Sequence, residues 1–368
     1  MLMAFYCKEA IRKRLTILKE SELIAAISNR LASRGLFSIP KKKGALHMFL
    51  TFPLTNWEGI LPKALEPFGK VTTFEWRSLG FNDLSSDWLK HRDSMNAAMI
   101  ETFRNVHKEQ SIDVIVGYLS GYNISPNILT ELSKAGAVIF NFCWDDKLYF
   151  KGKMLGGRWT GPAALASMVD LNLTNAPDSC IKYMVEGGLA MFWPEAAHPE
   201  IHKPYQIPFE YDISFVGGKY GWRPKFISKL QKMGIKVVCF GNGWENGPLS
   251  DEEMVKLFSR SRINLGFAGV GYSKKLMCLK GRDFEVPMSG GLYLTQDNPE
   301  LSLVYDIGKE ILTYKDEKDC VAKIKWLLSN PDEADKIRTA GRIRALKNHT
   351  WEKRFGNMFR ITRLLKED

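Results

Sequence analysis

The chain has 368 residues, 45% of them apolar and 12% aromatic, which suits two compact domains and excludes an extended disordered chain. Lys and Arg outnumber Asp and Glu by 52 to 41, so the net charge of +11 favours anionic partners such as nucleoside diphosphates, nucleic acid or an acidic membrane surface. The uncharged run from Val114 to Thr130 is too broken by Gly117, Gly121, Asn123 and Pro126 to span a membrane, and Lys8, Arg12, Lys13 and Arg14 exclude a signal peptide, so a cytoplasmic protein is expected.

Residues 8–34 predict one amphipathic basic helix, with Ile11, Leu15, Leu18, Ile24, Ile27 and Leu31 at helical spacing. It either packs on the domain surface or makes a peripheral contact with an anionic membrane at its inner face. After Lys41-Lys42-Lys43-Gly44, strands and helices alternate. Met48–Phe52 reads as a strand, followed by a helix from about Trp57 and a second strand at Val71–Trp76. Residues 87–109 put Trp88, Met95, Met99, Phe103 and Val106 on one helical stripe. Ile112–Tyr118 is a buried strand, and Ser125-Pro126 opens a helix as N-cap and first-turn proline. Ala137–Phe142 and Val169–Thr174 are further strands.

Four prolines within 194–210 read as a stiff linker, after which the pattern restarts. Tyr211–Val216 is a strand, Arg223-Pro224 opens a helix, and Ile235–Phe240 is the next strand. Ser250 and Glu253 form a capping box. Arg262–Phe267, Leu292–Thr295 and Glu310–Thr313 supply strands, and the chain is helical from about Asp316. Continuous apolar runs separated by helices indicate parallel sheets covered on both faces. The expected division is a helical extension (1–44), a first Rossmann-like domain (45–195), a linker (196–210), a second Rossmann-like domain (211–350) and a C-terminal helix (351–368). Ligands of doubly wound sheets bind beyond the carboxyl ends of the strands, so a cleft between the halves is the expected site.

The six cysteines contain no Cys-x-x-Cys pair and read as buried thiols rather than zinc or redox ligands. No strict Asp-x-Asp, phosphate-loop motif or helix-borne histidine pair is present, so no metal is expected. No basic block interleaved with aromatics resembles an RNA platform, which argues against nucleic acid.

Two segments carry chemistry. In the first, Val216-Gly217-Gly218 ends a strand and Arg223 begins a helix, whose N-terminus suits a phosphate; Lys219 or Arg223 adds charge. A tight structural turn is the plain alternative. In the second, Lys280-Gly281-Arg282 precedes Glu285 and the turn Ser289-Gly290-Gly291. Lys280 and Arg282 could neutralise a diphosphate, and the N–H groups near Ser289, Gly290 and Gly291 could cradle it. The Glu285 carboxylate either accepts two ribose hydroxyls or pairs with Arg282. The loop Gly241-Asn242-Gly243-Trp244 places an indole either against a nucleobase or in the core. For an acceptor hydroxyl, Asp145 and Asp146 follow a buried strand as general base or as helix caps.

The stretch from Asp212 to about Arg354 resembles the C-terminal half of group 1 glycosyltransferases, in their CgeB-like, spore-maturation-type branch. The matching pieces are Asp212–Gly218, Phe240–Trp244, Ser261–Leu265, Lys280–Gly291, Gly308–Ile311 and His349-Thr350, in order; Asp113–Val116 and Trp144–Asp146 fit the branch in the first half. The resemblance implies a GT-B fold, a nucleotide-diphosphate sugar donor and transfer of a hexosyl-type sugar to a cell-surface glycan, lipid-linked or protein acceptor. It also implies that the segment Trp351–Leu365 crosses back to the first domain. In the wider clan two glutamates, with seven residues between them, contact the donor; Glu285 matches the second, and Met277 stands where the first would fall. A sugar-nucleotide epimerase and a non-catalytic nucleotide-sugar binding protein are the alternatives on this scaffold.

Overall fold

The computed structural model describes residues 2–36, 40–53 and 59–366. The chain forms two compact units, Met1–Pro194 with Arg354–Asp368, and Glu195–Lys353.

The first unit is built on six parallel strands: β1 Leu46–Phe52, β2 Gly69–Glu75, β3 Val114–Gly117, β4 Val138–Cys143, and, beyond the small antiparallel hairpin of β5 Met154–Leu155 and β6 Arg158–Trp159, β7 Leu171–Thr174 and β8 Ala190–Phe192. Their order is β2-β1-β3-β4-β7-β8. β1, β3, β4 and β7 are buried along their whole length, which explains their mainly apolar sequences, with His47, Thr51, Asn141, Asn172 and Thr174 as buried polar exceptions. Helix Trp88–Glu109 buries Trp88, Met95, Met99 and Phe103 against Phe49, Ile115 and Ile139. The expected helix start at Trp57 lies outside the described residues; a helix runs from Leu61 to Leu65.

The basic segment 8–34 is two helices rather than one, Leu2–Lys13 and Glu20–Ser33. Arg14 adopts a left-handed backbone with φ of 55°, and the Leu15 N–H turns back to the Ala10 carbonyl at 2.8 Å, closing the first helix. The second begins where Glu22 accepts a hydrogen bond from the Lys19 N–H at 2.8 Å. Helical periodicity alone runs straight through this break, because the apolar stripe stays in phase across it.

The second unit has five parallel strands: β9 Tyr211–Val216, β10 Val238–Phe240, β11 Ser261–Leu265, β12 Tyr293–Gln296 and β13 Leu312–Tyr314, in the order β10-β9-β11-β12-β13. The strand order reverses between β9 and β11, with β10 on one side and β11 to β13 on the other, so the loops after β9 and β11 diverge at a switch point. Ser250 caps helix Asp251–Arg260 by accepting from the Glu253 N–H, and Asp316 caps helix Glu317–Ser329. The proline-rich stretch runs along this unit: the Tyr205 N–H donates to Ser259 Oγ at 3.0 Å and the Glu210 N–H to the Arg260 carbonyl at 2.8 Å.

Helix Trp351–Ile361 enters the first unit at Arg354. Phe355 and Phe359 are fully buried there, against Trp193 and against Phe68 and Phe140. Among the described residues no helix is long and apolar enough to cross a membrane. Five of the six cysteines are buried thiols and Cys7 is exposed.

Candidate donor and acceptor sites

In the second unit, two loops meet at the carboxyl ends of β9 and β10. The Lys219 N–H donates to the Asn242 carbonyl at 2.8 Å, and the Trp244 indole N–H to the Gly217 carbonyl at 2.9 Å. Gly241 permits the approach: it holds φ of 122°, and a Cβ there would lie 2.4 Å from the Gly217 oxygen. The Lys219 ammonium sits 5.2 Å over the Trp244 ring, whose neighbour Phe215 meets it edge-on. Trp244 thus braces the two loops, and a Cβ on Gly243, which holds φ of 87°, would lie 3.1 Å from Lys219 Cβ. Arg223, the first residue of helix Arg223–Lys232, folds back over the Tyr220 ring and donates to the Gly218 carbonyl at 3.1 Å. Burial holds its guanidinium pKa below the usual range.

Helix Gly281–Met288 precedes β12, so its N-terminus also lies at the carboxyl end of the sheet. The Lys280 N–H donates to Asp283 Oδ2 at 2.7 Å. Side chains on a helix lean toward its N-terminus, and the Glu285 carboxylate does so. A Cβ on Gly281 would lie 3.1 Å from Glu285 Oε1 and 2.9 Å from Glu195 Oε2, so both carboxylates close on this point, where a side chain would displace them. Arg282 bonds to Glu285, and His202 Nε2 stands 3.9 Å from it. Burial pushes the Glu285 pKa up, but Arg282 and His202 outweigh it and hold the carboxylate below its ordinary value. Glu285 is therefore an ionised acceptor already oriented by two cations or donors. His202 is itself buried, and that burial lowers its pKa against the pull of Glu285.

The turn Ser289-Gly290-Gly291 does not form the phosphate cradle expected from the sequence. Its three N–H groups are spent on the helix end: Ser289 to the Glu285 carbonyl at 3.0 Å, Gly290 to Pro287 at 2.9 Å and Gly291 to Val286 at 2.9 Å. The glycines serve as a helix C-cap, with Gly290 at φ of 72°. Such a turn lies at the amino end of β12, opposite the helix N-terminus that carries Lys280 and Arg282.

In the first unit, Asp145 and Asp146 follow β4 and part company. Asp146 is fully buried, accepts from the Tyr183 hydroxyl at 2.9 Å, and takes the Lys182 ammonium on its backbone carbonyl at 2.7 Å. Burial raises its pKa. It organises the interior and is out of an acceptor's reach, which corrects its assignment as a base. Asp145 is exposed, and its Oδ2 accepts from the Tyr118 hydroxyl, which follows β3, at 3.3 Å. Burial raises the Tyr118 pKa, so its proton stays on oxygen.

Sequence reasoning missed His202, Glu195 and Asp283. The first two lie in or beside the proline-rich stretch, and nothing local marks them. Asp283 was visible as the third residue after Lys280, in capping position.

Residues 223–360 match the family model described as glycosyl transferase-like. No curated protein matches the sequence. Among solved structures, a sucrose-phosphate synthase from Thermosynechococcus elongatus is similar, with a TM-score of 0.60 at 12% identity over 86% of this chain and 98% of that one. The Anabaena protein HepE, in complex with UDP and glucose, has a TM-score of 0.56 at 8% identity, covering 86% of this chain and 98% of its own. A glycosyltransferase from Rickettsia africae gives 0.55 at 11% identity, covering 88% and 100%. These likenesses carry the fold, GT-B with two Rossmann-like domains.

Proposed function

We propose that the chain transfers a sugar from a nucleotide-diphosphate sugar to an acceptor hydroxyl, with the donor on the second unit. The observation that carries this reading is the Glu285 carboxylate, held ionised by Arg282 and His202 at a helix whose N-terminus faces the switch point of the sheet. Two carboxylate oxygens match the two hydroxyls of a ribose. Gly217, Gly218, Arg223, Lys280 and Arg282, with the helix N-termini at Arg223 and Gly281, supply backbone approach and positive charge for the diphosphate. On the first unit, Asp145 beside Tyr118 is the group assigned to take the acceptor proton. The motif order from Asp212 to His349 supports the CgeB-like branch. The HepE complexes contain UDP, glucose or UDP-glucose, which supports a uridine donor as the first to try. The excess of basic residues supports a peripheral contact with an anionic membrane as part of the same reading.

A thermal-shift screen of nucleotide sugars identifies the donor, because a ligand of the native state raises the melting temperature. Free nucleoside diphosphate released only when an acceptor is supplied marks transfer. Donor converted without acceptor would instead mark an epimerase, and binding without turnover a non-catalytic protein. Glu285→Ala is expected to weaken donor binding by about 1–3 kcal/mol, the usual worth of charge-assisted hydrogen bonds. Calorimetry on the folded variant checks it, and unchanged affinity rejects the ribose assignment.

Catalysis in this reading needs no metal, since Lys280, Arg282 and Arg223 already provide the charge that neutralises a departing diphosphate. Activity should persist in excess EDTA. Complete loss, reversed by manganese or magnesium, would show that a divalent cation takes that role.

A further inference from the structure

The hairpin β5–β6 departs from the rest of the first unit in what it exposes. It turns through Gly156 and Gly157, at φ of 55° and 75°, and presents Met154 and Leu155 at 50% and 40% exposure. Its base is tied to the loop after β3, with the Gly121 N–H donating to the Gly161 carbonyl at 3.2 Å and the Tyr122 N–H to the Thr160 carbonyl at 3.0 Å. The apolar tip therefore stands at the carboxyl end of the first sheet, as do Tyr118 and Asp145.

The N-terminal helix adjoins it. Lys151 Nζ lies 4.9 Å from the Phe5 ring and 5.2 Å from the Trp159 ring, which links helix Leu2–Lys13 to the hairpin strand facing Met154. This helix buries Tyr6 and Ala10 against Phe150 and Tyr183 and turns Phe5 and Ile11 outward, at 47% and 78% exposure. Lys8, Arg14 and Lys153 are exposed around these side chains, whereas the one acid on the helix, Glu9, is bonded to Arg12 at 2.7 Å. Ten Lys and Arg face three Glu in the first 44 residues. Separated apolar residues on a surface are ordinary. A glycine-turned apolar tip, linked through Lys151 to a helix that exposes Phe5 and Ile11 on either side of Lys8 and Arg12, matches the chemistry of an anionic lipid interface.

We propose that the first unit docks on an anionic bilayer by inserting Met154 and Leu155 together with Phe5 and Ile11, with Lys8, Arg14 and Lys153 at the headgroups. This deepens the membrane contact of the functional reading and rests on it only in placing the acceptor end of the enzyme at the lipid surface. The geometry supplies both parts that reversible binding needs: apolar side chains that leave water and cations that meet anionic lipid. A neutral bilayer satisfies only the first.

The test is co-sedimentation of the full chain with vesicles of phosphatidylcholine alone or mixed with phosphatidylglycerol. Binding should require phosphatidylglycerol and fall as salt rises. Met154→Glu with Leu155→Glu should lower the partition coefficient by at least about tenfold. Lys8→Ala with Lys153→Ala should lower it by roughly 25-fold, from about fivefold per basic residue. All four side chains are exposed, so melting temperature and nucleotide-sugar binding should match the parent, which separates failure here from failure of the glycosyltransferase reading. Equal binding to both vesicle types, no binding, or glutamate variants that bind like the parent would overturn the proposal. So would a dimer in light scattering that Met154→Glu with Leu155→Glu dissolves, because a second copy would then cover the surface.

Discussion

Removing residues 354–368 should unfold the first unit while leaving the second able to bind its donor. The segment was expected to cross back to the first domain, and there Phe355, Met358 and Phe359 are fully buried, and Ile361 nearly so. Phe359 packs 5.1 Å from Phe68, just before β2, and 6.3 Å from Phe140 in β4. The Trp193 indole donates to the Arg354 carbonyl at 3.0 Å, and Arg354 Nε to the Pro194 carbonyl at 3.0 Å. Beyond the helix, the Lys41 N–H donates to the Leu364 carbonyl and the Lys366 N–H to Lys41, both at 2.9 Å. Loss of a buried Phe costs about 3–5 kcal/mol, and of a buried Met or Ile about 2–5. Together these come to about 10–20 kcal/mol, as large as the roughly 5–15 kcal/mol that holds a domain folded. Scanning calorimetry should show one transition lost, and a donor-induced shift should survive in the other. Phe359→Ala alone should remain folded but lose about 3–5 kcal/mol. If the truncated protein melts like the parent, the helix is a dispensable appendage.

Asp283→Asn should remove a large pH dependence of stability. The Asp283 carboxyl is buried, and burial pushes its pKa up to about 7, against the lowering influence of the Lys280 backbone N–H and side chain. The folded chain therefore holds a proton that the unfolded chain releases near its ordinary value of 3.8. With the folded pKa the higher one, this contribution is full below about pH 4 and is lost as pH rises through about 7. The span corresponds to about 4 kcal/mol. Urea unfolding of parent and variant across this range isolates the group, because other titrations cancel in the difference. Asn keeps a carbonyl to accept from Lys280, so helix capping is retained. Parallel pH profiles for the two proteins would mean that Asp283 is ionised in the native state.

Several elements were legible from local pattern. Tyr211–Val216 and the helix opening at Arg223 stand where apolar run and proline placed them, and Ser250 and Asp316 cap the helices that follow them. Edge strand β8 and hairpin β5–β6 were missed because runs of two or three residues carry no measurable period. The Gly156-Gly157 turn was the available signal for the hairpin.

What the sequence by itself determined was the alternation of buried strands and capped helices, because periodicity and capping act within a few residues. It also marked Glu285 and its neighbour Arg282, one helical turn apart. The tertiary structure alone decided which polar groups are free to act. Asp145 and Asp146 are adjacent in sequence, but the fold buries one against Tyr183 and exposes the other. Ser289, Gly290 and Gly291 offer N–H groups in sequence that the helix end consumes in space. His202 reaches Glu285, and Glu195 reaches Gly281, only because the chain brings the start of the second unit alongside helix Gly281–Met288. Burial and hydrogen-bond partners depend on residues far apart in the chain, and no local pattern encodes them.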